Sequence, residues 1–192
     1  MALVLKTNPV GIDVRIAGLQ SYLYSKINVN SDPITNPLPG GNDLVWNSYH
    51  RANMNPVKGN LGKFIAEVSN SQGDYDYVYL DDRVNTASFF IVKNRTGGES
   101  KVWTADVSMI VQSVISDIYP SIPHRADEEI LTTFTSVLDD VSGLYPLTSI
   151  DTEIDDVYRE FDQDKLKLDN ISSFHVMRFN FEIPYDVNKI EC

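Results

Sequence analysis

One apolar period, set between two alternating stretches, limits what this chain can fold into more than any other feature. Ile130, Leu131, Phe134, Val137, Leu138 and Val141 fall at 3.6-residue spacing on one face. The spacing predicts a helix over residues 127–141. Asp127, Glu128 and Glu129 occupy its first turn, where the helix dipole favours anions. Gly143 stands where a left-handed cap is expected, and Pro146 blocks continuation. The polar face carries Thr132, Thr133, Thr135, Ser136, Asp139 and Asp140.

The stretch before this helix alternates. Trp103, Ala105, Val107, Met109 and Val111 share one face; Thr104, Asp106, Ser108 and Gln112 share the other, with Ile110 as the exception. The stretch at 174–185 does the same, setting Met177, Phe179, Phe181, Ile183 and Tyr185 against Arg178, Asn180 and Glu182. Such alternation marks strands with one buried and one wetter face. The helix is expected to cover the buried face.

A second amphipathic helix is predicted at residues 12–27 from Ile12, Ile16, Leu19, Leu23 and Ile27. Gly18 inside it costs about 1 kcal/mol relative to alanine, which leaves open a close contact at that point. Residues 28–43 hold Pro33, Pro37, Pro39, Gly40 and Gly41 and read as a loop or extended arm. Short strands are expected at 44–51, 64–68, 75–80 and 87–92, with a polar turn at 53–62 and a hairpin turn at 94–100. Residues 149–161 stay ambiguous. Ile150, Ile154, Val157, Tyr158 and Phe161 fit a helix, whereas Val157 and Phe161 among acids also allow a strand pairing with 174–185. The expected fold is α+β: one domain over 1–192, an antiparallel sheet covered by two amphipathic helices, with the arm at 28–43.

The net charge of −11 argues against a general nucleic-acid surface and against anionic membranes. No apolar run is long enough to span a bilayer. The start, Met1 to Lys6, turns polar too quickly for a signal peptide, so synthesis in a cytoplasm without targeting is expected. The single cysteine, Cys192, allows no intramolecular disulfide.

Chemistry-bearing residues are scattered. His50, His124 and His175 lack metal-ligand spacing, and His175 shares a face with Met177 and Phe179, as a structural histidine would. Gly-x-Ser-x-Gly, the P-loop and Gly-x-Gly-x-x-Gly are absent from the sequence. Asp74, Asp76, Asp81 and Asp82 lack the glycine and distal glutamate of a calcium loop and read as a solvated turn. The acidic run at 151–164 reads as a solvated face. Tyr75, Tyr77, Tyr79, Tyr119 and Tyr145 suit a protein–protein interface, or equally the closing of a small core. No residue is assigned as catalytic, cofactor-binding or metal-ligating, and no cofactor is expected.

The opening from Asn8 to Gln20, Trp46-x-x-Tyr49-x-Arg51, Tyr79-Leu80-Asp81-Asp82, the Trp103 strand, the Asp127 helix and the closing Phe179–Asp186 form an ordered series. This order resembles the virion neck ring proteins of crAss-like tailed phages, with a fold like the tail-terminator and tail-completion families. The resemblance implies a structural virion protein, assembled in the host cytoplasm, that is not an enzyme. Copies would close a ring at the head–tail junction by head-to-tail contacts. Portal, neck or tail proteins would adjoin it, and DNA would pass through the lumen without specific binding. The alternative is a soluble acidic protein-binding module or small enzyme.

Overall fold

The computed structural model describes residues 2–27, 46–59, 62–69, 75–77, 84–97, 101–120, 126–163 and 174–187. The chain is mixed α+β. A six-stranded sheet is built from β1 (Ala2–Val4), β2 (Trp46–Arg51), β6 (Thr86–Thr96), β7 (Val102–Val114), β8 (Leu147–Asp151) and β9 (Phe174–Asp186). Its order is β1-β2-β6-β7-β9-β8. A second sheet of three strands joins β3 (Asn53–Pro56), β4 (Phe64–Ser69) and β5 (Tyr75–Tyr77). The helices are α1 (Ile12–Ile27), α3 (Asp127–Asp139) and the single turns α2 (Ile115–Ile118) and α4 (Ile154–Val157).

The large sheet is mixed, not purely antiparallel as expected. β1, β2 and β6 run parallel, and β6, β7, β9 and β8 run antiparallel. Parallel neighbours need a long crossover. Here α1 connects β1 to β2, and the small sheet lies between β2 and β6 in the chain. The short β1 and the polar β3, expected as a turn, hid both crossovers from pattern reading.

α1 and α3 cover one face of the sheet. Ile16, Leu19, Leu23, Ile130 and Phe134 pack with Trp46, Phe90, Met109, Val111, Met177 and Phe179, all fully buried. Phe134 lies edge-on to Trp46 at 5.7 Å and stacks on Phe179 at 5.8 Å. Trp46 satisfies its indole N–H on Ser88 Oγ at 3.0 Å. Gln20, buried on the same side of α1, donates to Val4 O at 3.0 Å and Ser48 O at 2.8 Å, tying β1 to β2.

The opposite face is covered too. Phe89, Ile91, Ile110 and Val176 pack under Ala66, Val68, Val157, Tyr158 and Phe161 from the small sheet and the α4 segment. Two backbone bonds join that cover: Phe64 N to Glu160 O at 2.8 Å and Asp162 N to Phe64 O at 2.9 Å. Ile110, the exception in the strand pattern, belongs to this second core.

Other expectations change in detail. Residues 149–161 are neither one helix nor one strand: β8 begins earlier and pairs with β9, and the helix is only the turn α4. Gly143 is not the left-handed cap; α3 ends in tighter turns, Val141 N to Leu138 O and Ser142 N to Asp139 O. Tyr119 and Tyr145 are buried in the helix-side core. The segment 28–43 lies outside the described residues. Gly18 does mark a close approach: the Tyr145 hydroxyl crosses it to donate to Arg15 O at 3.1 Å, and a β-carbon at Gly18 would lie 2.9 Å from that oxygen.

Two stability outcomes follow. Phe134→Ala should cost about 3–5 kcal/mol in chemical denaturation, as for other buried aromatics; a change below about 1 kcal/mol would remove the ring from the core. Gly18→Ala should destabilise the native chain, because the Tyr145 hydroxyl must move. In a Tyr145→Phe background the same substitution should stabilise by up to about 1 kcal/mol through helix propensity.

Candidate functional site: internal polar clamps and an apolar end

Among the described residues, those singled out in the sequence do not converge. His50 is buried on β2 and His175 on β9, on the helix side as its alternation indicates. Asp76 lies in β5 opposite Val68, whereas Asp74, Asp81, Asp82, His124 and Cys192 lie outside the described residues. Among the described residues, no group of three or more His, Cys, Asp and Glu is placed to hold a metal ion. Likewise among them, no helix is long and apolar enough to cross a membrane.

The most developed polar constellation centres on Arg178, expected on a wet face but fully buried in β9. Its Nε donates to Asn180 Oδ1 at 3.0 Å. Nη1 reaches Val157 O at 3.0 Å and Glu160 Oε2 at 2.5 Å. Nη2 reaches Ser108 Oγ at 3.1 Å and Glu160 Oε1 at 3.0 Å. A guanidinium has five N–H donors, so none remains for a ligand. Lys93 also pairs with Glu160, and Arg159 bridges Glu160 and Asp151 at 3.4 and 3.3 Å. Asn180 extends the network to Asp151 Oδ2 at 2.9 Å and Ser149 Oγ at 3.0 Å.

Burial alone would raise the Glu160 pKa. The hydrogen bonds from Arg178 and Lys93 outweigh it and hold the carboxyl at about 2. Burial lowers the Lys93 pKa, with the Glu160 bond opposing. The group is therefore a closed ionic clamp joining β6, β7, β8 and β9 to the α4 segment.

A second clamp sits where β1 and β2 end. Asp13, in the first turn of α1, is buried and pairs with Lys6 and with Arg51, the latter at 3.3 Å. His50 Nε2 lies 3.3 Å from Asp13 O. Burial, the largest influence on it, lowers the His50 pKa and favours the neutral ring. Here the chain's own carboxylate occupies the helix N-terminus that an anion would use.

Among the described residues, the same end of the sheet carries the exposed large apolar side chains. Leu5, Val10, Val14, Val102, Leu144 and Val187 are each 43–53% exposed. The fold places them toward one end of the sheet. Gly11, beside Val10, abuts the Tyr185 ring, and Val187 N bonds Lys101 O, beside Val102. Leu144 adjoins Tyr145, which reaches α1 one residue beyond Val14. Leu5 precedes Lys6, which reaches Asp13. Pattern reading missed this end because its residues come from four separate segments.

Glu160 gives a pH outcome. Its folded pKa lies below the ordinary value of 4.5, so its contribution is present above that value and fades as pH falls towards 2. Wild-type stability should therefore drop between about pH 5 and pH 2 by on the order of 3 kcal/mol more than in Glu160→Gln. Arg178→Met should cost about 3–5 kcal/mol at neutral pH, because it strips the partly buried Glu160 carboxylate of its main partner. Equal acid sensitivity in wild type and Glu160→Gln, measured by denaturant titration at each pH, would refute the clamp.

No protein-family model matches the sequence, and no curated protein is significantly similar to it.

Proposed function

We propose that this chain is a structural virion protein of a tailed phage, one subunit of a ring at the head–tail junction around the DNA channel. The observation that carries the reading is the division of labour among side chains. The best-developed ionic groups, around Arg178 and Asp13, are spent inside the fold, while the exposed large apolar side chains of the described residues lie toward one end. That division suits a subunit that works by contact. The order of sequence elements that resembles neck ring proteins adds to it. The charge of −11 is compatible with a lumen through which DNA slides without tight phosphate contacts.

Purified chain examined by size-exclusion chromatography with mass measurement and by negative-stain imaging should give closed rings of uniform size. Duplex DNA should not be retained in a gel-shift assay at physiological salt. A strictly monomeric chain at every concentration would overturn the ring and return the protein to the class of soluble binding modules and small enzymes.

A further inference from the structure

We infer that the Asp13 clamp is an acid-released latch: protonation of His50 frees β1 and the loop that joins it to α1, and bares the outer edge of β2.

β1 is held by few ties. It is three residues long, stands first in the sheet order and pairs in parallel with Asn47, Ser48 and Tyr49 of β2. Gln20 joins Val4 O to Ser48 O, and Lys6 pairs with Asp13. The loop then enters α1 through two left-handed residues, Asn8 at φ 51° and Gly11 at φ 58°. Glycine takes that conformation freely, whereas asparagine adopts it at some cost. The loop is therefore kept in place by its ends.

His50 meets the helix end of this loop from β2. Its ring is buried, and its Nε2 lies 3.3 Å from Asp13 O. A carbonyl only accepts, so Nε2 carries the hydrogen of the neutral ring and donates it. Among the described residues, the charged groups that act on the ring are Asp13 from α1, Lys6 from the loop and Arg51 from β2 itself. β1 carries no charge, and neither does β6 from Thr86 to Phe90, the part that pairs with β2.

With the ring neutral, two cations share one carboxylate. Protonation makes them three, one of them on a ring that is 8% exposed. Burial opposes the added charge most, Lys6 and Arg51 oppose it too, and only Asp13 favours it. Arg51 is fixed within β2, where the next residue bonds Phe90 O through Ala52 N at 2.7 Å. Lys6 follows a three-residue edge strand, and its side chain is 40% exposed. Moving Lys6 outward with β1 removes one cation and admits water to the ring. Local openings of this kind draw on the least-held elements of a fold. In the opened state the ring regains its ordinary value of 6.5, whereas the latched state holds it lower. The latch therefore holds above 6.5 and weakens as pH falls below it.

Hydrogen exchange of the whole chain, read by mass spectrometry at about pH 7.5 and about pH 5.5 and corrected for intrinsic rates, tests this. In wild type, protection of residues 3–13 should fall at least about threefold at the lower pH, while β7 and β9 keep theirs. His50→Gln keeps an N–H donor and takes up no proton, so its protection should be equal at both pH values. If that variant melts early, His50→Asn replaces it. Glu160→Gln should still show the fall, because the Glu160 carboxyl titrates well below this range. Equal protection in wild type at both pH values, the same fall in the His50 variant, or a fall that extends over β7 and β9 would overturn the latch. So would a His50 ring that titrates at or above 6.5 by NMR.

Discussion

β7 and β9 pair in unbroken register along all 13 residues of each, from Val102 opposite Asp186 to Val114 opposite Phe174. One face of this ladder is covered by α1 and α3, and the other, from Ser108 to Gln112 and from Val176 to Arg178, by the small sheet and the α4 segment, while Asp106 and Glu182 stay exposed. Where both faces are covered there is no water for the polar residues along the strands, so they need partners within the protein. Ser108, Arg178 and Asn180 stand on the second face and find theirs in one another and in the α4 segment. The position of that segment is thereby set by the donors of a single guanidinium.

A buried ion pair is a poor source of net stability, because desolvating both charges consumes most of the attraction. What the Arg178 fork supplies is geometry. Its two parallel bonds to Glu160 fix the carboxylate, and the Glu160 carbonyl accepts from Phe64 N at the start of β4. The next bond, from Asp162 N to Phe64 O, completes a parallel bridge at the same residue. The chain of constraint thus runs from the middle of β9 through α4 into the small sheet. An apolar residue at 178 could fill the volume but could not orient Glu160.

The elements that pattern reading recovers are those whose period faces a single apolar cover. α1 matches its expected span of 12–27, and α3, β7 and β9 match to within two residues. The second face was harder to read. Arg178, Asn180 and Gln112 are polar by type, so alternation assigned them to water, although Arg178 and Gln112 are buried. The signal lay elsewhere: Phe89, Phe90 and Ile91 form a continuous apolar run, as strands covered on both faces do, and Ile110 breaks the alternation beside Phe89. Glu160 was hidden within an acidic run; only the neighbouring Val157, Tyr158 and Phe161 distinguish its surroundings. The mixed topology was illegible because three-residue β1 carries too little pattern to be recognised as a strand.

The Asp13 clamp raises a further physical question, namely how a buried carboxylate is tolerated on a chain of net charge −11. Charges further apart than about 8 Å are largely screened at physiological salt, so net charge governs Asp13 less than the groups that touch it. Asp13 is buried beneath Lys6 and Arg51, whose side chains are 40% and 33% exposed. The clamp that completes the start of α1 also leaves cationic surface beside Val10 and Val14. Burying one carboxylate therefore closes the fold where β1, β2 and the start of α1 meet.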